Sequence, residues 1–341
     1  MLISVIVSLI ISGLVFNYSV LAGDFVINTK SLNITAQEVG KVLGAEASQA
    51  SSAVIRAVDE INKVSAIYDS SMLPVNEGKD NGPKRIVGAE ETSVAARSGV
   101  VLDLQSENIL FNQDANKISS IASITKLMTA LVFLDYNPGW DVIYEIKEND
   151  RRTGGKIYLY LGEKVLVRDL FHAALVGSAN TATIALVHST GMSEAEFVEK
   201  MNAKAMEIGL KNTYFSDPVG LNNYNTSTAK EVALITKTAL THQDIRQATL
   251  IKEYKFKTQA GRAKTILTTD YLLENIANNG FSLIGGKTGF TVIAGYCFVG
   301  EFINEAGHEI ISVVLGSWES SDRFTETEKL VKWTYDNYVW R

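Results

Sequence analysis

The stretch "IASITKLMTALVFLD", Ile121 to Asp135, constrains this chain more than any other. From Leu127 to Leu134 every residue but Thr129 is apolar, so the segment has no polar face to offer water. A helix that is apolar all round belongs in the middle of a core, and other layers must be built around it. Lys126 stands at the mouth of that helix, three residues after Ser123. Burying an ammonium is costly unless it is paired or loses its proton. On a helix, residues i and i+3 share a face, so the hydroxyl and the amine point the same way. That spacing suits a nucleophile and its base. A serine hydroxyl attacks poorly until a neighbour removes its proton. A desolvated lysine near a second cation can be neutral around pH 7. The helix N-terminus also favours negative charge at the reacting centre. The alternative is a capping serine beside a lysine that snorkels to solvent.

The rest of the chain is large enough to supply the surrounding layers. It has 341 residues, 46% hydrophobic and 21% charged, which is globular composition. The net charge of −6 gives no basic surface for nucleic acid. The single cysteine, Cys297 in "AGYCFVGEF", cannot close an internal disulfide and reads as a small core residue. His172, His188, His242 and His308 are scattered, and no Cys or His pair has metal-ligand spacing, so neither a metal nor a cofactor is expected.

Three regions are expected along the chain. Residues 1–23, "MLISVIVSLIISGLVFNYSVLAG", are apolar and uncharged and resemble a secretory signal, with small residues around Ala22 but no basic start. The segment is also long enough for an uncleaved membrane anchor. Either reading exports the remainder. Residues 24–85 follow. Thr35-Ala36-Gln37-Glu38 is a capping box, and Val39, Leu43, Ala47, Ala50, Val54, Val58, Ile61 and Tyr68 form one apolar stripe of an amphipathic helix over 35–69. Residues 70–85, with two prolines, two glycines and many charges, read as a linker. The compact domain is expected over 86–341. It opens with two strands joined at Ser106-Glu107-Asn108. Helical spacing runs from about Val165 to Leu240, with capping boxes at Ser193-x-x-Glu196 and Thr228-x-x-Glu231. Four strand-like runs and a last helix close the chain. The order predicts an α+β fold: an antiparallel sheet flanked by helices, with a helical subdomain.

Two further stretches join Ser123-x-x-Lys126. "VGSANTA" holds Ser178-Ala179-Asn180 between helical segments, and "IGGKTGFT" holds Lys287-Thr288-Gly289 in a strand-like run. Ser-x-x-Lys, Ser-x-Asn and Lys-Thr-Gly in that order form the active-site set of the penicillin-interacting serine acyltransferases. The chain resembles the serine D-alanyl-D-alanine carboxypeptidases, the low-molecular-mass penicillin-binding proteins, over roughly residues 88 to 339. "LGEKVLVRDLFHAALVGSANTATIAL", "AMEIGLKNTYFSDPVGL" and "SDRFTETEKLVKW" share in the likeness.

The resemblance implies a β-lactamase/transpeptidase-like fold and a role for each residue. Ser123 would attack the D-Ala-D-Ala carbonyl, Lys126 would take its proton and Ser178 would relay a proton to the leaving amine. Asn180 would bind the substrate amide. Lys287 would set the electrostatics and Thr288 would contact the substrate carboxylate, within the Lys-Thr-Gly strand that includes Gly289. Backbone N–H groups of Ser123 and Phe290 would form the oxyanion hole, and Thr291 would line the same groove. Arg323, in "SSDRFTETEKL", would grip the free carboxylate just before the final helix. The implied partners are peptidoglycan stem peptides and β-lactams as covalent inhibitors. The implied location is the periplasm or cell envelope. Larger members carry a β-rich C-terminal domain and a C-terminal anchor. Here Arg341 follows the last helix, so any membrane attachment is expected at the N-terminus.

Other classes fit less well. A P-loop needs four residues between its first glycine and Gly-Lys-Thr, but Gly280 is followed by five, and the run after Thr288 is strand-like. No Gly-x-Ser-x-Gly marks an α/β-hydrolase. A β-lactamase needs a deacylating glutamate. Glu207 in "EIGLKN" is one residue out of place and reads as an exposed helical position. A D,D-endopeptidase acting on cross-links, or a sensor that acylates and turns over slowly, would use the same residues.

Overall fold

The computed structural model describes residues 9–11, 14–16, 82–275 and 280–340, in two units, 1–77 and 78–341. In the first unit Leu9–Ile11 and Leu14–Phe16 pair as short antiparallel strands. The rest of the apolar segment 1–23, the helix expected over 35–69 and most of the linker lie outside the described residues. Among the described residues no helix is long and apolar enough to cross a membrane.

The second unit is organised by a five-stranded antiparallel sheet. The hairpin read from sequence supplies β1 (Ser98–Asp103) and β2 (Ile109–Gln113). Asp103 holds its turn by accepting from the Ser106 N–H and hydroxyl at 2.8 and 2.6 Å. β3 (Phe281–Thr291), β4 (Gly295–Asn304) and β5 (Glu309–Ser317) come from the end of the chain, and the spatial order is β3-β4-β5-β1-β2. β3 is therefore an edge strand. Side chains alternate between the two faces of the sheet. Along β5, Ile311, Val313 and Leu315 enter one core cluster, while Ile310 and Val314 enter the other.

The larger cluster holds the apolar helix, α1 (Thr125–Asp135), buried from Thr125 to Phe133 as its all-round apolar surface requires. Around it lie α2 (Val167–Val176), α3 (Asn180–Ser189), α4 (Glu194–Glu207), α5 (Ala229–Thr241) and α6 (Gln243–Thr249). The smaller cluster is closed by Phe324, Leu330 and Val331 of α7 (Asp322–Asn337). The fold is α+β, as expected.

Local signals held, with exceptions. Ser193 and Glu196 cap α4 reciprocally. Thr228 accepts from Glu231 N–H at 3.1 Å, but the Glu231 carboxylate turns instead to Lys211, Asn212 and Thr213, so only half of that box forms. The strand expected at "KEYKFKT" is Glu253–Lys257, and it pairs with Ala263–Leu267, a strand that sequence reading did not find. Tyr338–Val339 leaves α7 and pairs with Lys84–Arg85, so the described second unit includes residues before Ile86. Cys297 is buried in β4, and Glu207 is exposed on α4, where it pairs with Lys204.

Two contacts place the chain ahead of α1. Ser119–Ser120 pairs with Thr226–Ser227, and Ile121 N–H donates to Asn225 O at 3.1 Å. The edge of β3 then meets the same segment. A Cβ on Gly289 would fall 2.8 Å from Ile121 O, so only glycine permits this approach.

Candidate active site

Ser123 lies in a single 3₁₀ turn, Ala122–Ile124, which runs into α1. Ala122 has φ of 47°, a left-handed conformation that non-glycine residues adopt at a cost, and such strain is often kept at functional sites. No side chain caps α1, so the capping-serine alternative does not describe Ser123. Nor does Lys126 snorkel: it is 1% exposed. Its Nζ lies 2.9 Å from Ser123 Oγ, 2.9 Å from Asn180 Oδ1 and 2.7 Å from Val219 O.

Each of those partners is itself fixed. Asn180 opens α3, and its Nδ2 donates to Gly154 O at 3.0 Å. Val219 belongs to the turn in "FSDPVGL". Asp217 there accepts from Val219, Gly220 and Asn222 N–H groups, each at 2.6 Å. Gly220 has φ of 83°, and a Cβ there would fall 1.9 Å from Ala122 O. The buried Asn225 accepts from Ser216 and Asp217 N–H groups and donates to Thr125 Oγ1 at 3.0 Å and Asp217 O at 2.7 Å. The turn that aims the Val219 carbonyl is thereby tied to the first residue of α1.

Burial drives the Lys126 amine well below the ordinary lysine range. The nearby Lys287 lowers it further, against the opposing pull of Asp217. The contacts then assign the protons. Two carbonyl oxygens can only accept, so they take two N–H bonds. In the neutral amine the remaining lone pair faces the Ser123 hydroxyl, the one partner that can donate.

Lys287, in β3, is 2% exposed and its Nζ donates to Thr288 O at 3.2 Å and Thr288 Oγ1 at 3.4 Å. Burial, then Arg323, push it down to about 7, with Asp270 opposing. Thr288 Oγ1 is 2.6 Å from Thr269 Oγ1. Arg323 lies in the first turn of α7, over the Phe324 and Tyr296 rings, and its Nη1 donates to Gly289 O at 3.3 Å. Phe290 is half exposed and stacks on Tyr296 at 4.2 Å. Thr291 Oγ1 accepts Ala294 N–H at 3.0 Å, so this hydroxyl closes the β3–β4 turn. Ser178 joins α2 to α3 with φ of 52°, and its Oγ is shielded from solvent without a hydrogen-bond partner among the described residues.

Sequence reasoning missed the Val219 carbonyl, Asn225, Thr269 and Asp270. The Asp-Pro-x-Gly run at 217–220 is turn chemistry, but it does not say what its carbonyl will face. Nothing marked the other three, which reach the site through pairings far apart in sequence. The pair His188 Nδ1–Asp150 Oδ1 at 2.5 Å was hidden for the same reason. No group of residues among those described could hold a metal ion.

A half-buried serine beside a buried lysine in Ser-x-x-Lys, between an antiparallel sheet and a helical layer, defines the β-lactamase/transpeptidase-like fold class. The sequence profile described as D-alanyl-D-alanine carboxypeptidase matches residues 85–319, and the chain belongs to that family. It is 29% identical over 259 residues to D-alanyl-D-alanine carboxypeptidase DacF of Bacillus subtilis, covering 73% of this chain and 64% of that protein. It is 33% identical over 212 residues to a D-alanyl-D-alanine endopeptidase of Haemophilus influenzae, covering 62% of this chain and 70% of that one. Its fold is similar to penicillin-binding protein D2 from Listeria monocytogenes in an ampicillin-bound form, with TM-score 0.62, 30% identity, 72% of this chain and 99% of that chain covered.

Proposed function

We propose that this protein is an exported serine D,D-carboxypeptidase that removes the terminal D-alanine from peptidoglycan stem peptides, with residues 78–341 carrying the chemistry. The observation that carries the reading is the Lys126 amine, 1% exposed and 2.9 Å from Ser123 Oγ. In this reading Lys126 accepts the Ser123 proton as the oxygen attacks the D-Ala-D-Ala carbonyl. The N–H groups of Ser123 and Phe290 frame the developing oxyanion, and the close approach of Gly289 to Ile121 supports that pairing. Ser178, shielded and without a hydrogen-bond partner among the described residues, passes a proton to the departing D-alanine nitrogen. Asn180 aligns the peptide while Lys287, Thr288 and Arg323 form a cationic end for its carboxylate. Water then hydrolyses the ester on Ser123. β-Lactams would acylate the same oxygen.

The test is product analysis with two substrates, a stem peptide ending in free D-Ala-D-Ala and a cross-linked muropeptide. Release of D-alanine from the first, abolished by Ser123→Ala, is expected. Preferential cleavage of the cross-link would assign the endopeptidase activity that the Haemophilus relative's name carries. Acylation without turnover on either would leave a sensor.

A further inference from the structure

The hydroxyls of Thr269 and Thr288 lie 2.6 Å apart, and either could be the donor. The backbone holding Thr269 is tied down on three sides. Thr268 N–H donates to Lys252 O at 2.9 Å, and Thr269 N–H donates to Val176 O at 3.2 Å, where α2 ends. Asp270 N–H donates to Thr268 Oγ1 at 3.0 Å. Thr269 is therefore presented to β3 from a fixed backbone, linked to the helix that leads into Ser178.

A threonine hydroxyl has one proton and two lone pairs. Lys287 Nζ, 3.4 Å from Thr288 Oγ1, donates to one lone pair. With Thr269 donating to the other, the Thr288 oxygen has no further lone pair to offer, and its proton must go to an outside acceptor. With the direction reversed, that proton is spent on Thr269, and a ligand meets an oxygen that can only accept. A carboxylate can only accept, so it is bound in the first arrangement and repelled in the second.

We propose that Thr269 is a positioning residue that commits Thr288 to donate, and so makes the site selective for a substrate with a free terminal carboxylate. This rests on the carboxylate contact of Thr288 in the reading above. Thr269 touches no reacting atom. Its effect passes through the Thr288 proton.

The experiment is steady-state kinetics of the full chain on a D-Ala-D-Ala peptide and on its C-terminal amide, with Thr269→Val, Thr269→Ser, Thr288→Val and the Thr269/Thr288 double valine variant. Thr269→Val should raise KM for the free acid about tenfold, the scale of one weakened hydrogen bond to a charged group, with kcat changed less. KM for the amide should stay within about twofold. Thr269→Ser should restore the wild-type value, and Thr269→Val should add nothing in the Thr288→Val background. Equal loss on both substrates, no rescue by serine, or additivity with Thr288→Val would overturn the proposal. If the valine variant does not fold, Thr269→Cys, whose thiol donates weakly, carries the same comparison. If Thr288→Val treats acid and amide alike, the carboxylate reading of Thr288 itself fails and takes the proposal with it. If Thr288→Val discriminates and Thr269→Val does not, only the role of Thr269 falls.

Discussion

Replacing Lys287 by methionine should stabilise the folded protein at neutral pH while it damages the site. Lys287 is 2% exposed, and its amine donates to the carbonyl and hydroxyl of the next residue, Thr288. Burial and Arg323 hold it at about 7, against 10.5 for an ordinary lysine. Between those values the unfolded chain carries a proton that the folded chain lacks. Stability must therefore rise with pH through that window and stay level below it. At about 1.36 kcal/mol per pH unit, the displacement is worth about 5 kcal/mol. Methionine fills similar space, does not titrate and has no such window. Urea unfolding of wild type and Lys287→Met from about pH 6 to about pH 10 reads the effect, because groups distant from Lys287 cancel in the difference, while the coupled Lys126 and Asp270 shift with it. The variant should be the more stable at the acid end, and wild type should gain on it by most of that amount toward pH 10. A difference that stays flat would show that Lys287 keeps an ordinary affinity for its proton, and the electrostatic account of the site would fail. Asp270 raises the Lys287 affinity, so Asp270→Asn should move the window to lower pH.

Four other outcomes are expected. Ser123→Ala should abolish covalent labelling by a fluorescent penicillin, read on a denaturing gel, with the thermal midpoint preserved. Lys126→Met should slow acylation by at least ~10²-fold. The wild-type rate should rise with pH as the amine deprotonates, well below the ordinary lysine range, since burial lowers it. Gly220→Ala puts a Cβ 1.9 Å from Ala122 O at φ of 83°, so it should cost at least about 2 kcal/mol in urea unfolding and slow acylation by displacing the Val219 carbonyl. Arg323→Ala should reduce cleavage of a free D-Ala terminus by roughly ten- to a hundredfold and leave the C-terminal amide little changed. Equal loss on both would make Arg323 structural, a support for Gly289.

The sequence by itself determined what was local. An all-apolar run had to be a central helix, and α1 is buried along nearly its whole length. The i, i+3 spacing had to set Ser123 beside Lys126, and it does so at 2.9 Å. Alternation in the last strands set which side chains enter which core. The ordered motifs pointed to acyl-enzyme chemistry on Ser123 as an expectation. Tertiary structure decided what held those residues and what charge they carried. A lysine has the same side chain in any sequence, and its proton affinity depends on who surrounds it. For Lys126 these are the core that buries it, then Lys287, opposed by Asp217. Its hydrogen-bond partners, the carbonyl of Val219 and the amide of Asn180, come from 93 and 54 residues along the chain. For Thr288 the neighbour is Thr269, on a segment no pattern singled out. Periodicity reports which face of an element is apolar. It is silent on which distant loop will meet that face, because that is settled only when all the layers pack at once.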